Sequence, residues 1–482
     1  MANLKKLSKK RLSHKSDTLD ASVTAECFLT QKINTFLHTN FKKNLNVNRY
    51  LLVALSGGLD SIVLLHLMVK VSAEQALPFK VYAMHVHHGL STNADSWADF
   101  CTQQCQLLGV PLQVARVNIE KLSHLGIECA ARQFRYEALF NAKLDTDNLT
   151  KIMPDYIVTA HHQDDQAETI LLQLFRGAGI KGLASMAAID ASRRLMRPLL
   201  DVPRKALEDY AELHHIQWCE DESNQNTQYE RNFLRHEVLP LLEMRHPNIK
   251  SALARTASHL AEANDLLDSL AAIDAEHLLK ANSICLEGLS RLTNSRVKNL
   301  LRWWFFKNNL MMPSSDHLAE IIQQLFNAKP DAGISIQLQL HDEAQYLLLK
   351  RFQKRVYLYR EQDKTEFALI WNGEAELKLP NGGRLSFMQV IGTGLTLKLG
   401  INKLRITNRD GAERFKPDAL RPTRTLKYLF QEAQIPPWQR VNLPLIYWQD
   451  TLAYVPGIGV AHELQAKGQE LGIEIIWHED SL

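Results

Sequence analysis

Apolar and polar positions along this chain follow two regimes. In the first half, short apolar runs at Leu51–Leu55, Phe79–Val86, Leu112–Val117 and Tyr156–Ala160 read as buried strands. Each is followed by apolar residues at helical spacing, from Ser61, over about Ser96–Leu108, over about Glu128–Phe140, and over about Asp164–Phe175. Gly109 is expected to stop the second of these helices. Repeated strand–helix–strand units predict an α/β domain, with a parallel sheet covered on both faces and right-handed crossovers. After about Trp218 the helical period takes over. Tyr229–Met244 reads as a helix, Pro247 punctuates it, and helical spacing continues from Ile249 to about Phe326. From Gly333 short β runs replace it, at Ile334–Leu340, Tyr346–Leu349, Val356–Tyr359, Leu385–Phe387 and Leu395–Leu399. One helix is expected around Thr425–Glu432. The expected division is a basic extension over 1–47, an α/β domain over 48–228, a helical domain over 229–330 and a small α+β region over 331–482.

Composition narrows the class without naming a function. The 482 residues suit about three domains. A hydrophobic share of 45% with 23% charged residues is that of an ordinary globular protein. No apolar run approaches the roughly 20 residues that span a bilayer, so no membrane partner is expected. The six cysteines form no C-x-x-C pair, which points to reduced thiols and a cytoplasmic protein. The net charge of +3 says little, but its distribution says more. Lys5, Lys6, Lys9, Lys10, Arg11 and Lys15 precede the first acid, Asp17. Between Lys403 and Lys427 eight basic residues face three acids, and Arg193, Arg194, Arg197, Arg204 and Lys205 form another cluster. Focal basic patches on a near-neutral chain suit a phosphate backbone.

The densest chemistry follows the first strand. Ser56-Gly57-Gly58-Leu59-Asp60-Ser61 joins it to a helix. Two glycines let the backbone approach an oxyanion, and Ser56, Ser61 and the first helical N–H groups can donate to phosphate oxygens. No Lys-Ser/Thr follows, so this is not a Walker A loop. It resembles the PP-loop of the ATP pyrophosphatase families, which cut ATP between its α and β phosphates. Asp60, a carboxylate among phosphates, calls for a bridging Mg²⁺. A second cluster, His161-His162-Gln163-Asp164-Asp165-Gln166-Ala167-Glu168-Thr169, opens the helix after the fourth strand. Asp165 and Glu168 share a helix face and can hold Mg²⁺ or a substrate ammonium. Arg132 and Arg135 are helix neighbours suited to phosphate, and Arg176 leads a three-glycine run expected to form a mobile loop. His85-Val86-His87-His88 lacks further metal-ligand spacing and is read as structural or base-contacting, near the adenine.

Taken together with Arg197-Pro198-Leu199-Leu200, Asp221-x-Ser223-Asn224, Arg231-Asn232-x-x-Arg235 and Ile435-Pro436-Pro437-Trp438-x-Arg440, these motifs resemble the bacterial tRNA(Ile)-lysidine synthetase family. The resemblance implies an adenine nucleotide alpha hydrolase-like PP-loop domain, then a helical tRNA-binding domain and a C-terminal tRNA-binding region. It implies that ATP and Mg²⁺ adenylate the wobble cytidine of tRNA(Ile) with a CAU anticodon, and that L-lysine then displaces AMP to give lysidine. The loop Ser56–Ser61 and His87 would hold the nucleotide, with Asp60 at the metal. Asp165 and Glu168 would handle the lysine amine, and Arg132 and Arg176 would stabilise phosphoryl charge. Two other readings stand beside it: another PP-loop tRNA-modifying enzyme, such as a thiolase, and a non-catalytic tRNA-binding protein.

Overall fold

The structure, a computed structural model, describes residues 28–41, 49–74, 79–117, 127–145, 151–329, 333–341, 345–361, 365–398, 403–409 and 411–478. The basic run from Lys5 to Lys15 lies outside the described residues. The chain divides into two units, Met1–Leu266 and Leu267–Leu482.

The first unit is an α/β domain, as its period predicts. In chain order it runs α1 (28–41), β1 (Arg49–Ala54), α2 (Leu59–Glu74), β2 (Phe79–His87), α3 (Ala94–Leu107), β3 (Leu112–Arg116) and α4 (Ile127–Phe140). A small hairpin of β4 (Leu144–Asp145) and β5 (Lys151–Ile152) leads to β6 (Tyr156–Val158) and α5 (Gln163–Phe175). Then come α6 (Ile180–Leu183), β7 (Ile189–Asp190), β8 (Leu195–Met196) and α7 (Arg204–Leu213). The main sheet has the order β3-β2-β1-β6-β8-β7, parallel throughout except at the edge strand β7. β1 is central, and its side chains alternate between two cores. Leu51 and Val53 join α1, α2 and α7 on one face, while Leu52 joins Leu139 of α4 on the other. The chain winds outward from β1 to β3 and then returns to β6 on the other side of β1. The crevice beyond the β1 and β6 carboxyl ends is therefore a topological switch point, where open α/β sheets bind ligands.

Helix α1 corrects the expectation that residues 1–47 are an extension. Leu29, Ile33, Leu37 and Phe41 recur every fourth residue and are buried in the same core as α2. That spacing puts all four on one helix face.

After α7 the expected single helix over Tyr229–Met244 is broken. It consists of α8 (Glu230–Phe233), a π-helical turn over Leu234–Val238 and α9 (Leu239–Arg245). Pro240 cannot donate to the carbonyl of His236, and the widened turn precedes it. Helix α10 (Ile249–Leu278) crosses the division between the units.

In the second unit, β9 (Leu279–Lys280) and β10 (Ser283–Cys285) precede α11 (Leu286–Ser290), α12 (Asn294–Lys307) and α13 (Ser315–Asn327). Strands β11 (Ser335–Gln339), β12 (Tyr346–Phe352) and β13 (Arg355–Tyr359) complete an antiparallel sheet ordered β11-β12-β13-β10-β9. Strands from both sides of residue 330 thus share one sheet, so the boundary expected there does not divide the structure. The apolar run at Ser283–Cys285 is too short to stand out inside a helical stretch. Trp304, Phe305 and Ile321 of α12 and α13 pack on Leu349 and Val356 of that sheet. Among the described residues the remainder is two larger antiparallel sheets and a two-stranded ladder, Arg414–Phe415 against Arg424–Thr425, with a helix at Leu426–Glu432 over a core that includes Phe430 and Leu445. Among the described residues no helix is long and apolar enough to cross a membrane.

Candidate active site at the switch point

The loop between β1 and α2 is held by its own serines. Ser61 Oγ accepts from Ser56 N at 3.2 Å and donates to Gly58 O at 2.9 Å, and the Ser56 and Ser61 hydroxyls lie 3.1 Å apart. Gly57 adopts φ +88°, and a Cβ there would stand 3.2 Å from Cys101 Sγ, so only glycine fits the turn without strain. The N–H groups of Leu59 and Asp60, in the first turn of α2, have no acceptor within the helix. The loop thus has the tight glycine turn and the helix N-terminus that a phosphate cradle needs.

Across the switch point, His162 caps α5. Its Nδ1 accepts from Asp164 N at 3.3 Å, and Asp165 Oδ2 accepts from His162 N at 2.9 Å. His162 Nε2 stands 3.5 Å from Asp60 Oδ2 and 3.4 Å from Asp165 Oδ2, and so links the phosphate loop to the acidic helix. The two carboxylates expected to bind an amine already have partners. Glu168, fully buried, accepts from Arg231 Nε at 2.6 Å and from Arg235 Nε at 2.6 Å. Asp165 Oδ1 accepts from the Arg231 terminal nitrogen at 2.7 Å. Asn232, between them in sequence, ties α8 down by donating to Ser223 O and Asn226 O. The cluster carries two negative and two positive charges, so it is balanced without a ligand.

Burial sets the protonation of this site and charge corrects it. Burial would raise the Asp165 pKa, but His162 and Arg231 outweigh it and hold the carboxyl well below the usual range. Burial opposes a charge on His162, yet Asp165, Asp60 and Asp164 together raise its pKa. His161 goes the other way: burial first, then Arg197, Arg231 and Arg132, bring it down to about 3 despite Asp165. Its Nδ1 lies 2.8 Å from the Thr159 hydroxyl, and the ring is neutral at physiological pH.

Of the residues singled out from sequence, the structure links the Ser56–Ser61 loop, through Asp60 and His162, to Asp165, and through Arg231 to Glu168. Asp60 Oδ1 is shut off from solvent and makes no hydrogen bond. An orphaned carboxylate oxygen at the mouth of a phosphate cradle fits a Mg²⁺ held mostly by phosphates and water. No cluster of three or more His, Cys, Asp or Glu residues suited to a metal occurs among the described residues. His87 has partners of its own, with Nε2 3.1 Å from Asp95 Oδ1 and 3.4 Å from an Arg116 nitrogen. Arg132 lies exposed on α4, its guanidinium over the Tyr136 ring. Arg176 is not gathered in: it caps the far end of α5, roughly 20 Å along the helix from His162. Sequence reasoning gave little weight to Arg197, which is buried, donates to Ala187 O at 2.7 Å and has an Nε with no hydrogen bond. It also passed over Lys250, 2.8 Å from Asp164. A lone lysine in a long helix gives no signal in sequence.

Comparison with known proteins agrees with this geometry. Residues 29–242 match the PP-loop domain family, a family of ATP-binding domains. Residues 284–357 match the TilS substrate binding domain, and residues 404–477 the TilS substrate C-terminal domain. The chain is 38% identical to the tRNA(Ile)-lysidine synthase of Nitrosomonas europaea, over 94% of its own length and 97% of the relative's. It is 40% identical to that of Serratia proteamaculans, over 91% and 98%. It is 36% identical to that of Coxiella burnetii, over 92% and 96%. With a phosphate cradle, an acidic helix and both substrate domains in one chain, the protein belongs to the tRNA(Ile)-lysidine synthase family.

Proposed function

We propose that this protein is an ATP-dependent ligase that makes lysidine at the wobble cytidine of a tRNA(Ile) with a CAU anticodon. The observation that carries the reading is the likeness, across 94% of the chain, to proteins named tRNA(Ile)-lysidine synthase. The reaction has two halves. The cytidine C2 oxygen attacks the α-phosphorus of ATP, and pyrophosphate leaves. The ε-amine of free L-lysine then adds at C2, AMP leaves, and the amine loses its protons.

The residues supply what each half needs. Ser56, Ser61 and the first N–H groups of α2 bind phosphate oxygens, and Asp60 is the side chain that would hold Mg²⁺ there. The metal would neutralise charge on the leaving pyrophosphate. His87 ends β2 and would flank the adenine. Arg132 would meet charge on the phosphoryl group being transferred. Arg176 could reach it only if the glycine-rich run after α5 folded over the site.

For the second half, a lysine ammonium would compete with Arg231 and Arg235 for Asp165 and Glu168. Asp165 is too weak a base to take the proton, since its pKa is depressed. Its role is to hold the amine in place. Two guanidinium groups beside an incoming ammonium disfavour its charged form, while the two carboxylates that hold it favour it. The same four groups would thus bind and orient the lysine amine.

The thiolase reading loses ground on chemistry. Burial pushes the Cys101 thiol up to about 12 and Cys105 to about 11, and a protonated buried thiol is a poor sulfur carrier.

The deciding experiment is incorporation of labelled lysine into an unmodified tRNA(Ile) transcript with a CAU anticodon, with and without ATP and Mg²⁺. ATP-dependent label, absent from a methionine tRNA control, is the expected result. Pyrophosphate release without label would leave only the adenylation half standing. An Asp60→Asn variant that bound tRNA and kept full function would favour a non-catalytic protein.

A further inference from the structure

Arg204 opens α7 beside the phosphate loop, and its side chain is not satisfied there. Its Nε is shut off from solvent and makes no hydrogen bond. The nearest carboxylate oxygens stand at 3.9 Å, Asp60 Oδ1, and 3.7 Å, Glu208 Oε1. Asp60 Oδ1 is in the same condition. A buried donor and a buried acceptor face each other across a distance too long for a hydrogen bond. Such groups are costly to leave unmade, and a phosphate oxygen beside the guanidinium would give Arg204 the close partner that neither carboxylate supplies.

The fold sets this placement. Asp60 lies by Arg204, and one and a half turns further on His66 Nδ1 meets the Tyr210 hydroxyl at 2.8 Å. Both pairs are separated by 144 residues, so α2 and α7 run parallel in one register. Tyr210 is fully buried, and the His214 ring packs 4.3 Å from it. The contact of His66 with Tyr210 fixes α7 on α2, which sets Arg204 beside Asp60. A cation in the first turn of a helix meets the positive end of the dipole, which is unfavourable. Asp164 Oδ1 accepts from Arg204 N at 3.3 Å and offsets part of this. The guanidinium, 42% exposed, pairs with its two carboxylates only at 3.7 and 3.9 Å, beyond hydrogen-bond range.

We propose that Arg204 binds the β and γ phosphates of ATP and retains the pyrophosphate after the α–β bond has broken. The role rests on the adenylation reading above. A planar fork suits two phosphate oxygens at once, and no proton moves to or from it. AMP lacks these phosphates, so Arg204 would leave AMP binding alone.

The test compares full-length wild type, Arg204→Ala and Arg204→Lys in three readouts. These are inhibition of tRNA(Ile) adenylation by inorganic pyrophosphate, the KM for ATP and the Kd for AMP. Arg204→Ala should raise the pyrophosphate inhibition constant and the KM for ATP by about tenfold or more. Arg204→Lys should fall in between, and AMP affinity should not change. If Arg204→Ala melts early, Arg204→Lys decides by the same contrast between pyrophosphate and AMP. Unchanged pyrophosphate inhibition in an active variant would overturn the role of Arg204 alone. So would a parallel loss of AMP affinity, which marks a general disturbance of the site. A wild type that releases no pyrophosphate with tRNA(Ile) would overturn the adenylation reading and this role with it.

Discussion

Glu168 and Arg235 meet side-on: Nε lies 2.6 Å from Oε1 and a terminal nitrogen 3.0 Å from Oε2. The carboxylate is fully buried and Arg231 completes its coordination. Removing one partner leaves the others charged and unpaired, which costs about 3–5 kcal/mol for a buried pair. Glu168→Gln should therefore lower unfolding stability by a few kcal/mol in urea titration and also abolish lysine transfer. Replacing Glu168 and Arg235 together by methionine should recover part of the stability and none of the transfer. A double variant no more stable than Glu168→Gln would mean that the pair does not act as a unit.

The two adjacent histidines predict opposite pH effects in separate windows. His161 has a depressed folded pKa, about 3, against roughly 6.5 when unfolded. A depressed value means stability that is present above pH 6.5 and lost as pH falls towards 3, because only the unfolded chain takes the proton. The slope should reach about 1.4 kcal/mol per pH unit at most. His162 has a raised folded pKa, so its contribution is full below about 6.5 and fades as pH rises through the folded value. Stability curves against pH should flatten below 6.5 in His161→Asn and above 6.5 in His162→Asn. An acid limb unchanged in His161→Asn would place the lost proton elsewhere.

Gly57→Ala separates two sources of strain in the phosphate loop. The positive φ of 88° costs a non-glycine residue about 1–2 kcal/mol. The new methyl group would also press on Cys101 Sγ at 3.2 Å. The variant should melt at a lower temperature and show a raised KM for ATP. Adding Cys101→Ala should relieve the contact but not the backbone, so it should restore only part of each loss. Full restoration would show that the backbone conformation carries no cost.

The sequence made the first unit readable because parallel strands buried on both faces leave dense apolar runs, and helices between them keep a clear period. Leu51–Leu55 and Tyr156–Ala160 mark β1 and β6, whose ends flank the site. Helix α1 was hidden by the basic run before it, although Leu29, Ile33, Leu37 and Phe41 carry its period. The sheet of the second unit was harder, since Ser283–Cys285 is only three residues long. In the site, glycines and carboxylates announced themselves by type. The motif Arg231-Asn232-x-x-Arg235 could also be read as reaching back to the site, and its arginines do join Asp165 and Glu168 from more than sixty positions away. Which carboxylate each meets depends on the fold, and a single sequence does not reveal it.

The second unit offers a basic surface whose geometry is set by a short ladder. Arg414 pairs with Thr425 and Phe415 with Arg424, which places Arg414 and Arg424 on neighbouring strands, with Lys427 the second residue of the helix that follows. Arg424 lies 4.0 Å over the ring of Tyr428, which is 45% exposed. Cations beside an accessible aromatic suit an RNA backbone and an unstacked base or ribose. Arg414 and Lys427 are both exposed, so replacing them by alanine should leave the fold intact. Each should weaken tRNA binding and reduce the slope of log affinity against log salt by about 0.7–0.9. Turnover at saturating tRNA should stay near the wild-type value, because neither residue lies in the α/β unit that holds the phosphate loop. Equal salt slopes for wild type and the double variant would remove this surface from the tRNA interface. A fall in turnover at saturating tRNA would show instead that these contacts are felt in the chemical step.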